Sequence, residues 1–311
     1  MTIQAPIRRA IPADATVSTW SAPDGWRLRR FDWPQRERPA RGAILFQGGR
    51  GDVFEKYLES FGHWHDAGWS VTSLDWRGQG GSGRLSNDAH VGHAEDFDLW
   101  ISDLASFWRE WDAVALRVAI GHSMGGHLIL RALTEQAIRP DSAVLVAPML
   151  GLKAPLGAVI GERIARFMRA RGDPARAAWK KNERPGLRPD RQTLLTHDAT
   201  RYADEQYWFD RSPEIKLGPP SWAWLTEAFA STRTQRADPR LGSIDTPVLM
   251  LVAEADGLVD AKAAIMLAER LPNAELLRFG RESAHEILRE ADPVRNRALE
   301  AIDRFLTTNA S

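Results

Sequence analysis

The stretch VAIGHSMGGHLIL, residues 118–130, decides the fold because it joins two kinds of secondary structure through a Gly-x-Ser-x-Gly motif. An apolar run ends at the motif, and a pattern typical of a helix follows it. Such a junction favours a tight turn that holds a serine in a strained backbone conformation, with Gly121 and Gly125 leaving room for the neighbouring backbone. The motif therefore predicts a nucleophile at Ser123. A glycine-permitted turn without chemistry is the alternative that the motif alone leaves open.

Short apolar runs on both sides of this junction predict a mostly parallel sheet. They are rich in valine, leucine and isoleucine without strict alternation, which is typical of strands buried on both faces. Helix-compatible stretches separate them, so we expect a doubly wound α/β fold with right-handed crossovers. Residues 17–34 carry a Pro-Asp-Gly turn between two strand-like segments, which predicts an N-terminal antiparallel hairpin. The apolar runs are AILFQ (43–47), SVTSLDW (70–76), RVAIGH (117–122), AVLVAPM (143–149), VLMLVAE (248–254) and ELLRF (275–279).

One long interval breaks this alternation and predicts an inserted helical cap. It is too long for an ordinary connection between strands. We therefore expect a first part of the core at residues 1–150, the cap at 151–240 and a second part of the core at 241–311. Four apolar residues of the cap recur at helical spacing, which predicts an amphipathic helix whose apolar stripe covers a surface. They are Ile160, Ile164, Phe167 and Met168.

Composition excludes several classes of function. The 41 basic and 41 acidic residues balance, so no net charge draws the whole protein toward nucleic acid or a membrane surface. The absence of cysteine excludes disulfides, thiolate zinc sites and a cysteine nucleophile. The sequence has neither the apolar core of a signal peptide nor a membrane-spanning stretch, which predicts a cytoplasmic protein. The histidine pairs at 63/65 and 90/93 lack a third ligand at suitable spacing, so we expect no metal and no cofactor.

Residues 151–195 form a basic segment with eleven lysines and arginines against four acidic residues. One interpretation is a solvated helix face. The other is attraction to a phosphate-bearing substrate or to the surface of an anionic membrane. The basic residues are Lys153, Arg163, Arg166, Arg169, Arg171, Arg176, Lys180, Lys181, Arg184, Arg188 and Arg191.

A serine nucleophile needs a base within hydrogen-bond reach and a group that orients the base. The carboxyl ends of the strands in a doubly wound sheet converge on one crevice. Asp256 follows the strand-like run VLMLVAE, and His285 follows ELLRF, so both are predicted to meet Ser123 there. Asp260 is expected to cap the next helix instead, and His122 is expected to point away from the pocket of the serine.

The tetrahedral intermediate of acyl transfer needs backbone N–H donors for its oxyanion. One is expected from the residue after the nucleophile, Met124, and one from the loop after an earlier strand. The segment FQGGRGD (46–52) supplies that loop, and Gly49 is the predicted donor because glycine lets the backbone approach the substrate. A plain glycine turn is the alternative.

The sequence resembles the lysophospholipase and monoacylglycerol lipase group of α/β-hydrolases, and more closely its bacterial lysophospholipase branch. Four segments carry the resemblance over about residues 20–308: LDWRGQGGSGR (74–84), GHSMGGHL (121–128), LTHDATRY (195–202) and HEILRE (285–290). It implies an α/β-hydrolase fold, Ser123 as nucleophile, His285 as general base and then acid, Asp256 as orienting carboxylate, and an oxyanion hole at Gly49 and Met124. Many relatives have His-Gly where this chain has Gln47-Gly48, which affects selectivity near the scissile carbonyl.

These observations predict a serine hydrolase acting on a lipid monoester, either a lysophospholipid or a monoacylglycerol. Alternatives on the same fold are a small-ester carboxylesterase, a peptidase of the proline-iminopeptidase kind, an acyltransferase, and a non-catalytic binding protein. Apolar and aromatic residues of the cap are candidates for the wall of an acyl tunnel, or equally for the cap's own core. They are Phe167, Met168, Trp208, Phe209, Trp222 and Trp224.

Overall fold

A computed structural model of the chain describes residues 8–36, 39–113, 116–179 and 191–309. Within these ranges eight strands form one sheet in the order β1-β2-β4-β3-β5-β6-β7-β8. Strands β3 to β8 run parallel to one another, whereas β2 is antiparallel to both β1 and β4. The predicted fold class, a mostly parallel doubly wound sheet with an N-terminal antiparallel hairpin, is confirmed. The strands are β1 (Thr16–Ser21), β2 (Arg27–Trp33), β3 (Gly42–Gln47), β4 (Trp69–Leu74), β5 (Arg117–His122), β6 (Ser142–Val146), β7 (Val248–Ala253) and β8 (Ala274–Phe279).

The central strands are apolar because helices cover both faces of the sheet. Alternate residues of β5 enter two separate hydrophobic clusters: Ala119 belongs to one, and Val118 and Ile120 belong to the other. The helices are α1 (Leu58–Asp66), α2 (Asp98–Glu110), α3 (Met124–Thr134), α4 (Ala158–Arg169), α5 (Arg191–Leu195), α6 (Ala199–Arg211), α7 (Trp222–Ala237), α8 (Ala261–Ala268) and α9 (Asp292–Asn309).

Helices α4 to α7 lie in the long connection between β6 and β7. The predicted cap falls on this connection, and its boundaries at residues 151 and 240 stay a prediction. Four basic residues of the predicted basic segment, Lys180, Lys181, Arg184 and Arg188, lie outside the described residues. No helix in the described part of the chain is both long and apolar enough to span a bilayer.

The prediction that the apolar stripe of α4 covers a surface is wrong. Ile160, Ile164 and Phe167 are 43%, 45% and 55% exposed. Helix α4 packs against α7 through its small residues instead: Ala165 is buried, and a Cβ at Gly161 would lie 2.9 Å from the Phe229 ring. Because small residues allow the closest helix approach, that side faces inward and the bulky stripe is turned toward solvent.

Candidate active site

Ser123 lies at the turn between β5 and α3 with φ 52° and ψ −116°, a backbone conformation that residues other than glycine rarely adopt. The turn is tight enough to require glycine on both sides. A Cβ at Gly121 would lie 2.6 Å from the carbonyl carbon of Gly125, and a Cβ at Gly125 would overlap the carbonyl oxygen of Gln47. The motif thus forms a strained strand-to-helix turn and not a relaxed glycine loop.

His285 and Asp256 lie in the loops after β8 and β7, and they contact each other. The His285 Nδ1 lies 2.5 Å from Asp256 Oδ2, and both side chains are buried. The other carboxylate oxygen of Asp256 accepts the backbone N–H groups of Leu258 and Val259 at 2.7 and 3.1 Å. These bonds fix the carboxylate, which in turn fixes the imidazole ring. Ser123 and His285 line the same cavity.

The pair stabilises charge on both partners. Burial by itself lowers the pKa of His285, but the charge and the hydrogen bond of Asp256 outweigh it, so the pKa is raised above 6.5. Burial raises the pKa of Asp256, yet the charge of His285 and the hydrogen bonds to the carboxylate lower it overall. An imidazolium formed at His285 is therefore favoured by its surroundings, which suits a group that must accept a proton.

The expectation that His122 points away from the pocket is wrong. Its ring lies 4.8 Å from the ring of His285, and it lines the same cavity. Its Nδ1 lies 2.9 Å from Asp52 Oδ2 and 2.8 Å from the Tyr57 hydroxyl, and its Nε2 lies 3.4 Å from the His285 carbonyl oxygen. Asp52, which the sequence analysis did not consider, draws the ring into this position.

Asp52 also changes the predicted oxyanion hole. The Gly49 N–H was predicted to face an oxyanion, but it donates a hydrogen bond to Asp52 Oδ2 at 2.7 Å. Gly49 is otherwise placed as expected, because a Cβ there would lie 2.9 Å from the Ser123 Cβ. Met124 is the first residue of α3, where a backbone N–H has no carbonyl of its own helix to bond. The two predicted donors are thus close to Ser123, but one of them is occupied by a carboxylate.

The cavity holding Ser123 and His285 has a volume of about 200 Å³ and mixed walls. Two of the six predicted substrate residues, Phe209 and Trp224, line it. The other four do not, which corrects those predictions. Phe167 lies on the exposed face of α4, Met168 and Trp222 are half-buried elsewhere, and the Trp208 indole N–H is donated to the Arg8 carbonyl oxygen. The remaining apolar and aromatic wall residues are Met149, Leu152, Trp179, Leu194, Leu195, Leu217, Pro220, Leu225, Leu258 and Val259.

One cap segment of the resemblance, LTHDATRY, helps to hold the loop that carries His285. The backbone N–H groups of His285 and Glu286 donate hydrogen bonds to the carbonyl oxygens of Leu194 and Leu195 in α5, at 3.3 and 2.7 Å. The Thr196 hydroxyl donates to the Arg289 carbonyl oxygen at 2.7 Å. Contacts between LTHDATRY and HEILRE therefore join the cap to the loop of the candidate base.

Ion pairs behind this loop are buried. Lys56 contacts the carboxylates of Asp52, Glu205 and Glu286 at 2.5, 3.1 and 2.7 Å. Arg289 also contacts Glu205 and Glu286, and Arg191 contacts Glu205 at 2.6 Å. Since Glu205 belongs to α6, these pairs tie the cap to the core. No group of three or more histidine, aspartate or glutamate side chains within the described ranges is arranged to hold a metal ion.

Known proteins resemble this chain in sequence and in fold. Residues 38–292 match the family described as serine aminopeptidase, S33. Lysophospholipase L2 of Escherichia coli is 30% identical to this chain, and the match covers 86% of this chain and 81% of the relative. Monoglyceride lipase of Rattus norvegicus is 25% identical, and the match covers 70% of this chain and 71% of the relative. A soluble variant of monoglyceride lipase from Saccharomyces cerevisiae superposes with a TM-score of 0.75 at 17% identity, covering 99% of both chains, which shows the fold. The chain has the α/β-hydrolase fold and belongs to the serine aminopeptidase S33 family.

Proposed function

We propose that this protein hydrolyses lipid monoesters, lysophospholipids or monoacylglycerols, through an acyl-enzyme at Ser123. The observation that carries the proposal is the strained Ser123 in one cavity with a His285 that is bonded to Asp256 at 2.5 Å. The names of the relatives, lysophospholipase L2 and monoglyceride lipase, support the substrate class.

The proposed reaction begins with attack of the Ser123 hydroxyl oxygen on the ester carbonyl, while His285 Nε2 takes the hydroxyl proton. Asp256 holds the Nδ1–H of His285 and stabilises the imidazolium. The Met124 N–H supports the oxyanion, and the Gly49 N–H does so by sharing its bond to Asp52 or leaving it. Breakdown of the intermediate returns the proton to the glycerol oxygen, and water then attacks the acyl-enzyme with His285 as base and releases the fatty acid.

The apolar wall of the cavity supports a fatty acyl substrate. Leucines of the cap and core share it with Phe209 and Trp224, and burial of each acyl methylene contributes about 0.8 kcal/mol. Two arginines in the same wall, Arg50 and Arg191, disfavour the free amino terminus that an aminopeptidase must bind. Aminopeptidase activity is nevertheless the second candidate, because the family description names it.

Labelling with a fluorophosphonate tests the nucleophile. The wild type should react, Ser123→Ala should not, and Ser102→Ala, which removes an exposed hydroxyl on α2, should react like the wild type. Equal labelling of Ser123→Ala would refute the assigned nucleophile. A substrate panel tests the class: short-chain esters, monoacylglycerol, lysophospholipid and aminoacyl amides. Preference for the amides, or acyl transfer to an added alcohol in place of hydrolysis, would select an alternative.

We also propose that the protein is cytoplasmic and contacts anionic membrane through the cap. Helix α4 presents Ile160, Ile164 and Phe167 to solvent, and the exposed Arg163 and Arg166 lie on the same helix. An outward apolar face with arginines beside it is typical of helices that lie in a membrane interface.

Vesicle binding tests this contact. Anionic phosphatidylglycerol vesicles should sediment the wild type, and neutral phosphatidylcholine vesicles should sediment less of it. Phe167→Ser should weaken binding, whereas Met266→Ser, which removes an exposed apolar side chain of α8, should not. Equal losses in both variants would contradict a role for α4.

A further inference from the structure

Two arginines stand in the wall of the cavity that holds Ser123. Arg50 follows Gly49 directly, so its backbone starts next to the nucleophile, and Arg191 begins α5 at the cap side. Both side chains line the cavity. Neither residue takes part in the proton transfers of ester hydrolysis. The ion pair with Glu205 accounts for Arg191 as a link between cap and core, but it does not account for a second arginine, Arg50, in the same wall.

Each guanidinium is held in place by its surroundings. Arg50 Nη1 donates to the Gly218 carbonyl oxygen at 2.9 Å, and its guanidinium carbon lies 5.5 Å from the centre of the Trp224 ring. Arg191 Nη1 lies 2.6 Å from Glu205 Oε1. Positions fixed in this way limit the entropy lost when a ligand binds.

The charges of the two arginines act on each other. Burial, and then the positive charge of Arg191, lower the pKa of Arg50 to about 10, although the charge of Asp52 opposes the change. Arg50 is therefore still protonated at neutral pH. Arg191 already has a carboxylate partner in Glu205, so what the pair offers a phosphate is charge-assisted hydrogen bonds from two guanidinium groups in one wall.

Two indole side chains belong to the same wall. Trp179 and Trp224 line the cavity, and the Nε1 atom of each is buried with no hydrogen-bond partner among the described residues. Because these nitrogen atoms are inaccessible from the cavity, the indoles shape its wall, and the guanidinium groups are the donors available to a ligand. Phosphate oxygens accept hydrogen bonds from guanidinium N–H groups.

We propose that Arg50 and Arg191 form a subsite for the phosphate head group of a lipid monoester, in a wall that the side chains of Trp179 and Trp224 complete. This inference rests on the proposed function and deepens it, because it selects phosphate-bearing lysophospholipids over uncharged monoacylglycerols. The short glycerol unit between the ester and the phosphate lets the head group lie at Arg50 while the carbonyl lies at Ser123. The acyl chain would then occupy the apolar wall.

A selectivity ratio tests the subsite: kcat/KM for a 1-acylglycerol 3-phosphate divided by kcat/KM for the 1-acylglycerol with the same chain. Arg50→Gln should lower this ratio about 10- to 100-fold, the range of a charge-assisted hydrogen bond. Arg50→Lys should give an intermediate ratio because it keeps the charge and loses the planar geometry. Lys262→Gln, an equal loss of charge on exposed α8, should keep the ratio of the wild type. An unchanged ratio in Arg50→Gln, with or without a fall in both rates, would overturn the subsite.

Ligand binding separates failure of the subsite from failure of the proposed function. An alkyl phosphate and the matching alkyl glycerol ether are titrated calorimetrically into Ser123→Ala with and without Arg50→Gln. The subsite is supported if the double variant binds the alkyl phosphate more weakly than Ser123→Ala does and binds the alkyl glycerol ether equally well. This holds even where the wild type cleaves no lipid ester and the proposed function fails. Equal binding by both proteins refutes the subsite while leaving hydrolysis standing. Inorganic phosphate binding as tightly as the alkyl phosphate would refute a lipid source for the anion.

Discussion

Helices α4 and α6 belong to the same insertion, but each reverses the usual rule that apolar side chains are buried and charged ones exposed in its own way. Helix α6 buries Arg201, Asp204 and Glu205, whereas α4 exposes Ile164 and Phe167. The buried charges of α6 meet partners on the core, which fixes that half of the cap over the loop of His285. Among the described residues, none from the core covers the exposed apolar side chains of α4. One half of the cap therefore serves the geometry of the site, and the other is available to a surface outside the protein.

The largest effect is expected from breaking the ion pairs of α6. Glu205→Gln removes a carboxylate shared by Lys56, Arg191 and Arg289, so this buried cluster loses one of the negative charges that balance its three cations. We expect a loss of about 3–5 kcal/mol in the free energy of unfolding, measured by denaturant titration. Asp210→Asn on the exposed side of α6 should change it by less than about 0.5 kcal/mol. Similar small losses in both variants would show that the buried pairs do not fasten the cap.

The pH dependence of activity probes the base that this half of the cap buries. In the proposed reaction the neutral imidazole of His285 is the base. Its pKa is raised above 6.5, so kcat/KM should fall with acidification from a midpoint above that value. Below the midpoint the loss should approach about tenfold per pH unit. In Asp256→Asn, burial remains and the stabilising charge is gone, so the midpoint of the residual activity should move to lower pH. A midpoint that stays fixed would assign the acid limb to another group.

A smaller effect is expected at the start of α6. The Asp198 carboxylate accepts the N–H groups of Thr200 and Arg201 at 2.9 and 3.0 Å and so caps the helix. Asp198→Ala should cost about 1 kcal/mol in the free energy of unfolding. Asp198→Asn keeps a capping oxygen and loses the ion pair to Arg201, so it should retain most of that stability. Equal losses in the two variants would assign the effect to the ion pair and not to the N-terminal capping hydrogen bonds of α6.

The smallest effect is expected on the exposed face of α4. Ile164→Ser should change the free energy of unfolding by no more than about 0.5 kcal/mol, because the side chain is already in water. Ala165→Leu on the next residue should cost about 1–3 kcal/mol by overpacking the buried side. A large loss in Ile164→Ser would mean that the stripe is covered in solution and would remove the contrast between α4 and α6.

The sequence predicted much of the candidate site because its signals are local. The glycines around Ser123 predict the turn, and the positions of Asp256 and His285 after strands place them at one edge of a parallel sheet. The same reasoning failed for His122 and Gly49. Both depend on where Asp52 directs its carboxylate, and a side-chain direction inside a loop has no periodic signature in sequence.

The sequence by itself determined the order of strands and helices, the tight turn at Ser123 and the family, since hydrophobic period and glycine placement act over a few neighbouring residues. Only the tertiary structure decided which face of α4 is exposed, which aromatic residues line the cavity, and that Arg50 and Arg191 share its wall. The physical reason is that these outcomes depend on helix rotation and on charges far apart in sequence. A stripe of apolar residues specifies that a helix is amphipathic, but its packing partner decides which side is buried.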